Sequence, residues 1–267
     1  MNDLNFFKEE LADVAGMFRE LILPSIDQDK MDEFANIIAE LMIAADSYDG
    51  HFEHLLQAAE ENKKRTEYGI ASKYVHRGYY CPSPITDLII GNSHRGKLTK
   101  SIRSDTKDYF TYIFDEHNHM ICAEHRMRVS KDDVPANHEF IIRDENVEFG
   151  ITFTDNLNKE ISFLSQAIYH DGLIRSYSSA IFNAIMQFPM TSLDHEEYFY
   201  SDGILQRADV YMGIIPAINS YDKSSYTFNH DDKGIIIGYT ESREFQGVMV
   251  ENSFHVPKNK KIVRKFS

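Results

Sequence analysis

The stretch Val147-Glu148-Phe149-Gly150-Ile151-Thr152-Phe153-Thr154 decides the fold. Side chains of a strand alternate between faces, so Val147, Phe149, Ile151 and Phe153 point one way and Glu148, Gly150, Thr152 and Thr154 the other. The reading is a strand of an antiparallel sheet with one dry face and one wet face.

The same chemistry recurs on both sides of it. Tyr112-Ile-Phe-Asp115, Phe153-Thr-Asp155, Tyr169-His-Asp171-Gly172, Tyr200-Ser-Asp202-Gly203 and Phe228-Asn-His-Asp231 each end an aromatic run on an aspartate, and Ile, Leu or Met follows within a few residues. An aromatic strand, an Asp/Gly/Asn turn and a second apolar strand form the hairpin signal. Hairpins are expected over 108–127, 147–168, 162–182, 196–212 and 226–240, with further strands at Val248–Val250 and Ile262–Val263.

The N-terminal part follows a different period. Leu4, Phe7, Leu11, Val14, Phe18 and Leu21 recur at three and four residues, as do Met31, Phe34, Ile37, Ile38, Leu41 and Met42. Each set makes one apolar stripe on a helix. Asp3 suits the cap of the first helix and Pro24 its end; Asp27 or Asp29 suits the cap of the second. Ser47-Tyr-Asp-Gly50 signals a turn, and a third, more polar helix is expected from His51 to about Lys64. Such stripes need a surface to cover, and the dry face of the sheet supplies one. The expected fold is α+β, with N-terminal helices on one face of a large twisted antiparallel sheet of repeated hairpins. Its divisions are a helical segment at 1–65, a transition with a short strand (Ile85–Ile90) and a polar loop at 66–100, the sheet at 101–256 and a basic tail at 257–267.

The net charge is −14, and its distribution is uneven. Residues 1–60 hold 14 acids against Lys8, Arg19 and Lys30, whereas the last 11 residues hold Lys258, Lys260, Lys261, Arg264 and Lys265 and no acid. An acidic body disfavours nucleic acid and anionic membranes and steers a basic partner. The two cysteines, Cys81 and Cys122, make no disulfide framework. No basic n-region leads into an apolar core, and no apolar run of about 18 residues exists. Cytoplasmic residence is the expectation.

Four patterns invite a chemical reading. Gly91-Asn-Ser-His-Arg-Gly96-Lys97-Leu98-Thr99 approaches the phosphate-binding G-x4-G-K-[ST] loop, but Leu98 stands where the magnesium-binding hydroxyl belongs and no helix start follows. His51 and His54 lie one helical turn apart, as in some zinc sites, but the metalloprotease signature spaces its pair by four rather than three, and no third ligand is identifiable. Asp115-Glu-His-Asn-His119 with Glu124 and His125 is rich in ligand types, yet it occupies a hairpin turn where polar residues belong. Neither cysteine and no serine sits in a nucleophile context. No catalytic residue, cofactor or metal site is assigned.

The remaining candidate is the acidic helical segment carrying Asp27, Asp29, Asp32, Glu33, Glu40, Asp46 and Asp49. Acids between apolar positions ordinarily make a solvated helix face; gathered on one face they also make a docking surface for a basic protein. Asp27, Asp29, Asp32, Glu33, Asp46 and Asp49 are the expected partner-binding residues.

Tyr169-His-Asp-Gly-Leu-Ile-Arg and Tyr200-Ser-Asp-Gly-Ile-Leu-Gln-Arg resemble the YD-type hairpin repeats of Rhs-like proteins and the related repeats of bacterial immunity proteins encoded beside polymorphic toxins. The resemblance covers roughly 108–240. The chain is too short for a shell that encloses a toxin, so the resemblance implies an accessory or immunity-type protein without catalytic residues. The expected function is a non-enzymatic cytoplasmic binding protein that neutralises a basic toxin domain by occlusion. The alternatives are a divergent nucleotide- or metal-dependent enzyme and a scaffold that pairs through its sheet edges.

Overall fold

The computed structural model describes residues 27–72, 76–85, 95–127, 136–154, 159–182, 190–215, 220–245 and 248–256. The expected first helix, the basic tail, the Ile262–Val263 strand and most of the Ile85–Ile90 strand lie outside these residues.

Two helices lead the described chain, α1 (Gln28–Tyr48) and α2 (Phe52–Asn62). Asp27 caps α1: its Oδ1 accepts from the backbone N–H of Asp29 at 3.1 Å and of Lys30 at 3.4 Å. Gly50, with φ +70°, turns the chain between the helices in a conformation that favours glycine. Met31, Phe34, Ile37, Leu41, Ala44 and Ala45 are the buried positions of α1, and Phe52, Leu55 and Ala59 those of α2.

Thirteen strands follow: β1 (Arg65–Ile70), β2 (Lys97–Thr99), β3 (Asp108–Phe114), β4 (Met120–Met127), β5 (Ala136–Asp144), β6 (Val147–Thr154), β7 (Glu160–His170), β8 (Leu173–Phe182), β9 (Met190–Ser201), β10 (Ile204–Ile215), β11 (Ser220–His230), β12 (Ile236–Phe245) and β13 (Val248–His255). They form one sheet in the order β13-β12-β11-β10-β9-β8-β7-β6-β5-β4-β3-β1-β2. Every pairing is antiparallel, and from β3 onward each strand pairs with the next in the chain. Among the described residues β13 and β2 each have one neighbour and form the edges of the sheet. The Asp-Gly turns behave as read: Asp171 and Gly172 have φ of 52° and 73°, and Asp202 and Gly203 of 51° and 75°. These values match the two-residue turn whose twist suits a hairpin.

The helices cover one face. Phe34 meets Tyr211 edge-on at 5.1 Å, and Phe52 meets Phe153 at 5.6 Å and Phe140 at 5.9 Å. Ile113, Cys122, Ile151, Leu164, Ala180 and Leu193 complete this core from the sheet.

The opposite face is not wet. A strap, residues 76–85 with a short 3-10 turn at Gly78–Tyr80, crosses it from β3 to β9. Glu148 and Thr152, expected to face water, are 6% and 4% exposed. For Glu148 charged partners offset this burial, and alternation alone does not reveal them. Arg77, itself 2% exposed, donates from Nε to Glu139 Oε1 at 2.6 Å and from Nη1 to Glu148 Oε1, while Arg143 Nη2 holds the other Glu148 oxygen at 2.5 Å. Gly150 leaves the room: an added Cβ would lie 2.3 Å from Glu139 Oε1 and 2.7 Å from Arg77 Nη2. Beyond the ion pairs this face becomes tyrosine-rich and dry, with Tyr177, Tyr198, Val210, Tyr226 and Phe228 packed with Ile85 and Val256.

Two further segments differ from the reading. Arg65–Ile70, placed at the junction of helix and transition, is a strand paired with both β2 and β3. Ala136–Asp144 is a central strand although no hairpin signal marks it.

Candidate functional site

The outward face of α1 carries the acids that the sequence singles out. Asp29, Asp32, Glu33, Asp46 and Asp49 are exposed, as is Asp27 at the cap. Their positions follow from the apolar stripe: burying Met31, Phe34, Ile37 and Leu41 turns the intervening residues to solvent. Asp32 Oδ1 accepts from Gln28 Nε2 at 3.0 Å, one turn back. Asp49 closes the helix through its backbone N–H, which donates to Ala45 O at 2.9 Å. Ile43, 66% exposed, stands in the same outward face between Glu40 and Asp46.

From Asp27 to Asp49 the chain has seven carboxylates and one cation, Lys30. Lys30 is folded toward the sheet, not outward. Its Nζ lies 2.7 Å from Glu33 Oε2 and 2.7 Å from Glu197 Oε1 on β9. Burial pulls its pKa down, but the hydrogen bonds to Glu197 and Glu33 outweigh burial and leave it raised. Glu40 is likewise engaged, accepting from Gln166 Nε2 on β7 at 2.5 Å. Asp29, Asp32, Asp46 and Asp49 therefore present negative charge on a helix whose one cation, Lys30, is already paired with Glu33 and Glu197.

The other candidates separate. Gly91–His94 lie outside the described residues. Arg95 is buried and donates to the carbonyls of Cys81 and Ser83, which fastens the strap, and Lys97–Thr99 is the edge strand β2. His51 and His54 are exposed, with ring centroids 6.4 Å apart. Asp115 Oδ1 accepts from the backbone N–H of His117 at 3.0 Å and of His119 at 2.8 Å, so this acid shapes the turn. Glu124 and His125 point to opposite faces of β4: Glu124 pairs with Arg126 and His138, whereas His125 reaches Asp108 at 2.8 Å and stacks on Phe110.

Beneath the strap lies a half-buried acid that the sequence does not mark. Glu196 on β9 accepts from Ser83 Oγ at 2.6 Å and from the Tyr198 hydroxyl. Burial pushes its carboxyl up to about 7 despite both hydrogen bonds. Glu148 shows the opposite balance: burial raises it, but Arg77 and Arg143 hold it below the usual carboxylate range.

Two surface hollows of about 420 Å³ each open on the described residues. One is lined by Tyr68, Lys100, Tyr109, Glu124 and Arg126, the other by Leu55, Asn62, Asp115, His117 and Phe140. Glu196, the acid poised near neutrality, lines neither. No helix among the described residues is long and apolar enough to cross a membrane. In comparisons with known proteins, no family model and no curated protein matches the chain.

Proposed function

We propose that the chain is a non-enzymatic protein-binding module that holds a basic partner domain against the outer face of α1, as an immunity protein does when it occludes a toxin's substrate cleft. The observation that carries this reading is the inward turn of Lys30. With its only cation drawn onto Glu197, α1 faces solvent with Asp29, Asp32, Asp46 and Asp49 along its length and with Ile43 exposed between Asp32 and Asp46. A row of charge steers a partner in, and an exposed apolar side chain within it gives the partner an anchor. The sheet face opposite the helices and its tyrosines take no part in the proposed contact, because the strap buries that face. Cytoplasmic residence accompanies this reading, and an acidic surface favours a protein over nucleic acid or an anionic membrane.

The test is inhibition. The purified chain is mixed with a candidate basic toxin domain, and residual activity is read against molar ratio. Loss of activity at one equivalent supports the proposal. Full activity at a large excess, or equal inhibition by a chain carrying Asp29→Asn, Asp32→Asn, Asp46→Asn and Asp49→Asn, contradicts it.

A further inference from the structure

Where the first turns of α1 meet β9, three side chains converge on one point. Glu33, His195 and Glu197 bring an imidazole nitrogen and two carboxylate oxygens within 4.8 Å of one another. His195 and Glu197 are two residues apart on one strand and so share a face, while Glu33 comes down from the helix above them. His195 Nε2 stands 4.0 Å from Glu33 Oε1 and 4.0 Å from Glu197 Oε1. It is buried without a hydrogen-bond partner, and the side chain is 2% exposed. Leaving a buried ring nitrogen unbonded costs about 1–3 kcal/mol. Two carboxylates facing each other need a cation, and Lys30 Nζ supplies one at 2.7 Å from each. The ammonium answers the carboxylates but leaves the imidazole unanswered.

We propose that Glu33, His195 and Glu197 bind a divalent transition-metal ion of the zinc type, in the place that the Lys30 ammonium holds between the two carboxylates. A tetrahedral zinc ion with bonds of about 2.1 Å sets its ligands about 3.4 Å apart, so closing the 4.0 Å separations takes a small adjustment of the glutamate side chains. The outer hydrogen bond such a site needs is in place. His195 Nδ1 and Ser178 Oγ are 2.8 Å apart, and with Nδ1–H donating to the serine, Nε2 keeps its lone pair for the metal. One imidazole and two carboxylates suit Zn²⁺ or Mn²⁺ better than Ca²⁺ and Mg²⁺, which take all-oxygen sets, or Cu⁺, which prefers sulfur. Glu33 is 45% exposed, which leaves a side from which water completes the coordination. The Lys30 stem is flexible, and displacement frees its ammonium to solvent. The ion fastens the start of α1 to β9, and because it releases Lys30 from Glu197, the docking face assigned to α1 is that of the metal-free chain.

The test is zinc titration of the full chain, stripped with a chelator and followed by calorimetry and thermal unfolding. One equivalent is expected to bind and raise the melting temperature. Glu33→Gln and Glu197→Gln each weaken binding by at least about ten-fold, since loss of a ligand costs no less than loss of an outer hydrogen bond. Lys30→Met tightens binding, because it removes the competing cation without removing a ligand, and His117→Ala with His119→Ala leaves binding unchanged. Four outcomes overturn the proposal: no stoichiometric zinc, binding indifferent to both glutamine variants, weaker binding in Lys30→Met, or loss of binding in the His117/His119 variant.

Discussion

His195 and Glu196 stand back to back on β9, one sealed beneath α1 and the other half-buried beneath the strap. His195 Nδ1 meets Ser178 Oγ at 2.8 Å on the helix side; Glu196 Oε2 meets Ser83 Oγ at 2.6 Å on the strap side. Burial disfavours charge on both, so the histidine is held down to about 4 and the glutamate pushed up to about 7. Neighbours in sequence thus titrate in opposite senses, because a sheet covered on both faces has no wet side for either.

Glu196 makes stability depend on pH. Its folded pKa of about 7 lies above its ordinary 4.5, so its contribution is full below pH 4.5 and is lost as pH rises to about 7. Glu196→Gln keeps the neutral form at every pH. Denaturant unfolding at pH 8 is expected to show this variant more stable than the parent by roughly 1–3 kcal/mol, a difference that vanishes near pH 4. His195 runs the other way: its contribution is full above pH 6.5 and is lost as pH falls to about 4. In Glu196→Gln the acid-side loss therefore remains while the alkaline-side loss disappears. Parallel pH profiles for the two proteins contradict this account.

Arg77 holds the strap through Glu139 and Glu148, and all three are buried. Removing the cation leaves carboxylates in a dry place. Arg77→Met is expected to cost about 3–5 kcal/mol in chemical denaturation. Gly150→Ala, which pushes a methyl group into the same network, is expected to cost about 1–3 kcal/mol. A loss under about 0.5 kcal/mol in both variants would mean that the strap does not rest on this network.

Asp27 is the candidate whose role the structure reassigns most, because its carboxylate caps α1. Asp27→Ala is expected to lower stability by about 1 kcal/mol, and Asp27→Asn, which still caps, by much less. Equal losses in thermal unfolding would remove the capping role.

The Ile43 side chain is largely exposed, outside the core that α1 shares with the sheet. Ile43→Ala is expected to change stability by no more than about 0.5 kcal/mol while weakening partner binding by more than about 1 kcal/mol. Stability is read by unfolding and affinity by calorimetry. A variant that keeps full affinity excludes Ile43 as an anchor.

The hairpins were legible where turn chemistry and alternation coincide, as at Asp171-Gly172 and Asp202-Gly203. α1 and α2 were legible from their stripes. β1 was hidden because Arg65-Thr-Glu-Tyr-Gly-Ile70 is half-buried along most of its length and so does not alternate. β5 was hidden because His138 and Glu139 are both buried, one beside Phe52 and the other against Arg77, so adjacent polar letters fall on two dry faces. The strap leaves no periodic trace, since it binds distant strands through isolated contacts of Arg77, Tyr79, Ser83 and Ile85. The acids of α1 were visible as charge, but the role of Lys30 rests on Glu197, 167 residues away, and no local pattern joins them.

The most direct measurement of the central claim is the association rate of the basic partner as a function of salt, for the parent chain and for the chain with Asp29→Asn, Asp32→Asn, Asp46→Asn and Asp49→Asn. The parent rate is expected to fall steeply as salt rises; the variant is expected to associate about ten-fold more slowly at low salt and to be nearly insensitive to salt. Identical salt profiles for the two chains would contradict the assignment of α1 as the docking face.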